Sequence, residues 1–211
     1  MFKSLLYIII CWSSLIGLTA CQFTAEQQQE FNPELAALAR LKLGLGYLAQ
    51  AKDTTDKSNE DIKLAHYNLT LANKYSPNNP NVMLGMALFD QHVGERQEAD
   101  VIYQTIIKLA PTNGLYRIHY GSFLCGTGRY QEAQTQYKIA TTLNRPQWKM
   151  DGLEQLGYCA IQNGDIAQAN QAFKSLFQYN PNKRQDVIGM AEVYRQQGDT
   201  QIARYLLTVC K

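Results

Sequence analysis

Gly94-Glu95-Arg96-Gln97-Glu98-Ala99-Asp100-Val101-Ile102-Tyr103-Gln104-Thr105-Ile106-Ile107-Lys108-Leu109-Ala110-Pro111 decides the fold. A glycine stands five residues before a small residue, a large apolar residue follows four later, and a proline closes the stretch. The same pattern returns at Gly128, Ala133, Tyr137 and Pro146, at Gly164, Ala169, Phe173 and Pro181, and at Gly198, Ala203 and Leu207. Upstream, Ala65, Leu69 and Pro77 repeat it without the glycine. The small residues Ala65, Ala99, Ala133, Ala169 and Ala203 are spaced by 34, 34, 36 and 34 residues. A fixed period of this length marks a stack of one supersecondary unit.

Each position has a physical reason. A second small residue recurs upstream, at Gly44, Ala87, Gly121, Gly157 and Ala191. Paired small positions let two helices of a hairpin approach closely. The glycine ends the first helix in the left-handed conformation its C-terminus favours. The large apolar residue fills the seam between hairpins. The proline stops the second helix. Together these features resemble the tetratricopeptide repeat. That resemblance implies an all-α solenoid of about five helical hairpins, forming a right-handed superhelix with a concave groove. The units read as 36–78, 80–113, 114–148, 150–183 and 184–211. Two departures stand out. The first unit carries the polar insertion 51–59, read as a longer loop with Ser58 or Asn59 capping the next helix. Two extra residues near Asn144-Arg145-Pro146-Gln147 should widen the connection between the third and fourth units.

Residues 1–20 differ from the rest. Lys3 lies in a short n-region, Leu5 to Leu15 is apolar apart from two serines, and small residues follow. This describes a cleavable export signal; the alternative, a membrane anchor, asks for a longer apolar run. Leu18-Thr19-Ala20-Cys21 resembles the bacterial lipobox, whose cysteine takes a lipid because its thiolate is the nucleophile. Cys21 is then the lipid-attachment residue. The resemblance, with Gln22 rather than Asp after the cysteine, implies a lipid-anchored protein of the outer membrane facing the periplasm. Residues 21–35, rich in Gln and Glu, read as a flexible tether or as a short helix packed on the array.

The chain has 211 residues, 45% of them hydrophobic, and a net charge of +2. That is globular composition, and the dispersed Lys and Arg give no nucleic-acid footprint. No catalytic, cofactor-binding or metal-binding constellation is present. His66, His92 and His119 fall in different hairpins, and no HExxH or CxxC spacing occurs. The reading is a binding protein, not an enzyme. A partner would meet unit positions two, five, nine and twelve of the first helices. At the start of the groove these are Leu38, Leu41, Leu45 and Leu48, followed by Leu84 and Leu88. The leucines serve either an apolar segment of a partner or the chain's own N-terminal stretch folding back. Cys125 and Cys159 lie on first helices of adjacent units, so they either form a disulfide or remain two buried thiols. Ile202, Tyr205, Leu206 and Val209 belong to a last hairpin without a polar cap, which points to self-association at that end.

Tyr120-Gly121-Ser122-Phe123-Leu124-Cys125-Gly126-Thr127-Gly128-Arg129-Tyr130, with the later Gly157-Tyr158-Cys159, resembles the type IV pilus biogenesis and stability lipoproteins. That family combines a lipobox, a tetratricopeptide array and paired cysteines in adjacent repeats, commonly with one hairpin more than the five read here. The resemblance implies a pilotin. Such a protein binds secretin subunits and promotes their outer-membrane targeting and multimerisation, with no cofactor. A general periplasmic scaffold for cell-envelope enzymes is the alternative reading.

Overall fold

The computed structural model describes residues 31–51 and 56–211, and the side chains among them except those of 56–58. The export signal, Cys21 and most of the tether lie outside the described residues. Ten helices are described: α1 (Pro33–Gln50), α2 (Asp56–Tyr75), α3 (Pro80–Val93), α4 (Arg96–Leu109), α5 (Gly114–Gly126), α6 (Tyr130–Thr142), α7 (Pro146–Gln162), α8 (Ile166–Tyr179), α9 (Lys183–Gln196) and α10 (Thr200–Val209). Each odd-numbered helix pairs with the next, giving five hairpins that stack in chain order. Three buried clusters run along the stack: Leu69 and Val82 centre the first, Tyr103 and Leu124 the second, Phe173 and Leu176 the third. The chain is thus an all-helical tetratricopeptide-like solenoid.

The repeated glycine acts as its position requires. Gly94, Gly128, Gly164 and Gly198 have φ of 92°, 80°, 74° and 90°, values at which a side chain is strained. Caps vary more. Asn79 and Asn113 accept from the backbone N–H two residues on, and Asp165 from Gln168 N–H three residues on.

The small positions explain how the helices pair. A β-carbon on Gly44 would fall 2.6 Å from Leu69 Cγ, one on Gly121 2.6 Å from the Tyr137 ring, and one on Gly157 2.6 Å from the Phe173 ring. The large residue therefore packs first inside its own hairpin, rather than only in the seam between hairpins. It then reaches onward: Leu69 also touches Gly85 of α3, and Tyr103 stacks on Tyr120 of α5 at 5.5 Å. In the last hairpin the equivalent Leu207 is 46% exposed, and its neighbour Leu206 is the fully buried residue instead. Ile202, Tyr205 and Val209 are half-buried.

Three expectations need correction. α1 opens at Pro33, so residues 33–35 belong to the first hairpin and not to the tether; a proline is tolerated at a helix start. α2 opens at Asp56 and takes in Ser58 and Asn59, which therefore do not cap it. No Gly or Pro interrupts 56–75, so nothing delays the helix to residue 59 or 60. The extra residues of the fourth unit do not widen the connection, which is only Leu143 to Arg145. They lengthen α7 to 17 residues, against 14 for α3 and α9. Pro146 consequently starts α7 instead of ending α6, a position where its missing N–H costs nothing. The added turn carries Trp148, whose ring occupies the space left by Gly114: a β-carbon there would lie 2.7 Å from it.

Candidate partner-binding groove

Two separate cavities open along the first helices, and unit positions nine and twelve contribute Leu45, Leu48, Leu88 and Gln91 to one and Ser122, Cys125 and Tyr158 to the other. Between α1 and α3 a cavity of about 350 Å³ is lined by Leu45, Leu48, Ala49, Leu88, Gln91 and His92. Between α5, α7 and α9 a second, of about 330 Å³, is lined by Ser122, Gln155, Tyr158, Met190 and Tyr194 around Cys125 and Cys159. The first is a leucine-lined apolar hollow. The second is aromatic and amide-bearing.

The six leucines singled out in the sequence do not act alike. Leu45 and Leu88 are half-buried on the cavity wall, and Leu38 is 40% exposed. Leu41, Leu48 and Leu84 are core residues. Leu41 lies on Gly85, whose β-carbon would fall 2.4 Å from Leu41 Cδ1. Three of the six therefore hold first helices together, although Leu48 also shows an edge to the cavity. The reason is geometric: a stripe at positions two, five, nine and twelve is wide enough to straddle the line where neighbouring first helices touch.

Cys125 and Cys159 are joined, with S–S 2.00 Å and Cα–Cα 6.0 Å. The bond ties α5 to α7 and forms part of the second cavity's wall. Around it the far end of the groove is mixed and charged. Tyr158 OH donates to Glu154 Oε1 at 3.2 Å, and burial, then Glu154, pushes that phenol above its usual range. Lys183 bridges Glu154 at 2.9 Å and Asp186 at 2.8 Å. Burial lowers the affinity of Lys183 for its proton, but the two carboxylates outweigh it and hold the ammonium above the usual lysine range. Gln162 Nε2 donates to Tyr194 OH at 2.8 Å. The Lys183–Glu154 and Gln162–Tyr194 links join residues 29 and 32 apart, so no local spacing announces those two.

Tyrosines read as packing residues also make polar links across hairpins. Tyr116 OH donates to Asn81 Oδ1, Tyr130 OH to Asp165 Oδ2 and Tyr205 OH to Asn170 Oδ1, each over 35 residues. Tyr116 is buried, Tyr130 and Tyr205 are half-buried against the core, and the three hydroxyls tie neighbouring hairpins together. His66 stacks on Phe89 at 5.2 Å, His92 lines the first cavity, and His119 is largely buried, with its imidazole held below the usual range by that burial.

An array of helical hairpins with small-residue seams and left-handed glycine turns is the architecture of tetratricopeptide-repeat proteins, and a sequence profile of the tetratricopeptide repeat matches residues 151–183 of this chain. Within that class the relatives are informative. The chain is 25% identical over 192 residues to the type IV pilus assembly protein PilF of Pseudomonas aeruginosa, covering 90% of this chain and 73% of PilF. It is 29% identical over 154 residues to an uncharacterized Haemophilus influenzae protein, covering 71% of this chain and 79% of that one. The solved PilF structure superimposes with a TM-score of 0.63 at 24% identity, over 85% of this chain and 77% of PilF. That of PilW, described as a widely conserved type IV pilus biogenesis factor, gives 0.59 at 18%, over 82% and 76%. The chain is thus similar in sequence to PilF, and the solved structures of PilF and PilW share its fold.

Proposed function

We propose that the chain is a type IV pilus pilotin. It is anchored in the outer membrane through a lipid on Cys21 and faces the periplasm. It binds secretin subunits with its inner groove and promotes their delivery and multimerisation. The observation that carries this reading is the apolar hollow of Leu45, Leu48 and Leu88 on a repeat scaffold related to PilF. A half-buried leucine wall on a rigid helical face suits an apolar segment of another protein, and a secretin subunit on its way to a membrane exposes such segments. Nothing in the mechanism makes or breaks a covalent bond. The groove holds the subunit and the lipid fixes the destination.

The test is a deletion strain scored for heat-resistant secretin multimers in the outer-membrane fraction. Complementation uses wild type, Cys21→Ala and Leu88→Glu. Loss of multimers on deletion, rescue by wild type and failure of both variants is the expected result. Leu88 is preferred to Leu41, whose substitution breaks the α1–α3 contact and unfolds the groove. Multimers that persist in the deletion strain would overturn the reading.

A further inference from the structure

The turn added to α7 builds a second site, away from the leucine hollow. At the α6–α7 connection a cavity of about 440 Å³ has Asn144, Arg145, Lys149 and Tyr179 in its walls. A cavity of about 450 Å³ adjoins it, sharing Thr141, Lys149 and Tyr179 and adding Gln178. No Asp or Glu lines either one.

The two cations are held in place by aromatic rings instead of carboxylates. Lys149 Nζ lies 4.5 Å from the centre of the Tyr179 ring, and the Arg145 guanidinium 4.8 Å from that of Trp148. A ring face orients a cation while leaving its N–H donors free. Among the described residues neither cation has an ion-pair partner, whereas Arg129, Lys183 and Arg195 each hold one or two. Trp148 is seated on Gly114, so the platform is fixed to the third hairpin. The hydroxyls of Thr141 and Thr142 already donate to Lys138 O and Ile139 O, each at 2.7 Å. The donors left to a ligand are the guanidinium, the ammonium, the Asn144 and Gln178 amides and the Ser175 hydroxyl of the second cavity.

We propose that this junction binds a phosphate group. A carboxylate offers two oxygens in one plane. A phosphate offers three or more in different directions, which suits Arg145, Lys149 and Asn144 around the first cavity, with Gln178 on the adjoining one. The phosphate is carried either by a lipid headgroup or by a soluble molecule, and the experiment separates the two.

Inorganic phosphate is titrated at constant ionic strength into the full chain, with amide and Arg side-chain NMR signals as the readout. Saturable shifts confined to residues 141–149 and 178–179 are expected. The double variant Arg145→Gln/Lys149→Gln should weaken the binding about tenfold or more, through loss of two charge-assisted contacts, while keeping its melting temperature. Lys108→Gln, which removes a charge elsewhere, should leave it unchanged. Unsaturable shifts, or equal weakening by Lys108→Gln, would overturn the proposal. Co-sedimentation with phosphatidylglycerol against phosphatidylcholine vesicles is then compared between wild type and the double variant. A phosphatidylglycerol preference lost in the variant identifies a headgroup. Saturable phosphate binding with no such difference identifies a soluble phosphate. Neither saturation nor a variant-sensitive difference leaves the site without a ligand of this class.

Discussion

Glycine does two opposite jobs in this chain, and the difference can be measured one residue at a time. At Gly121 the β-carbon of alanine would lie 2.6 Å from the Tyr137 ring, which is itself buried, its phenol pushed up to about 12 by that burial. The ring cannot retreat, so Gly121→Ala should destabilise the array by about 1–3 kcal/mol, the usual cost of overpacking. At Gly46, inside α1, no described atom lies within 4 Å and φ is not left-handed. Gly46→Ala should therefore stabilise by about 0.5–1 kcal/mol, through the lower backbone entropy of the unfolded chain. Urea melts of the two variants test the pair of claims together. Equal effects of the same sign would show that close helix approach is not what the small position provides. The role of Gly121 was legible in the sequence because it recurs one period apart with Gly157. The role of Gly114 was not: Trp148, which fills its missing side chain, belongs to the inserted turn and has no counterpart in the other units.

Helical elements followed from the sequence more securely than their ends did. Period, glycine and small residues together place five hairpins, since each signal repeats and errors at one unit are corrected by the next. The 36-residue interval says that residues were added but not which element receives them, because a connection and a helix start accept Asn-Arg-Pro equally well. The cross-hairpin pairings in the polar half of the groove were illegible for another reason: Glu154 meets Lys183, and Gln162 meets Tyr194, only once α7 and α9 are stacked. At this scale the Cys125–Cys159 bond is the feature to test. It closes a sequence separation of 34 residues and restrains the unfolded chain, which should contribute about 2–4 kcal/mol. Reduction, or the Cys125→Ala/Cys159→Ala variant, should lower the thermal midpoint while far-ultraviolet circular dichroism at low temperature keeps its helical form. A midpoint unmoved by reductant would mean that the α5–α7 contact carries the seam without the bond.

Across the whole molecule the seams are unequal, and a stacked array should unfold accordingly, since its stability is close to a sum of hairpin terms and nearest-neighbour terms. The third and fourth hairpins share a disulfide and the Tyr130–Asp165 hydrogen bond. The fourth and fifth meet through one buried cluster, the Lys183–Glu154 pair and the Gln162–Tyr194 and Tyr205–Asn170 bonds, with no covalent link, and the outer face of the fifth leaves Val193 and Leu207 exposed. An ion pair partly open to water contributes little next to buried apolar area. Because Lys183 is held above the usual lysine range, what it does contribute is fully present at neutral pH and is lost only as the pH rises through that raised value. Hydrogen exchange at neutral pH should therefore open α9 and α10 well before α5 to α8. Leu207→Glu should leave that order unchanged, because the side chain is already in solvent. Lys183→Met should speed exchange in α9 selectively, since it strands Glu154 in a half-buried site without its cation. Uniform protection from α3 to α10 would mean that the solenoid unfolds as one cooperative block. In that case the fifth hairpin could not adjust independently to a segment bound in the polar half of the groove.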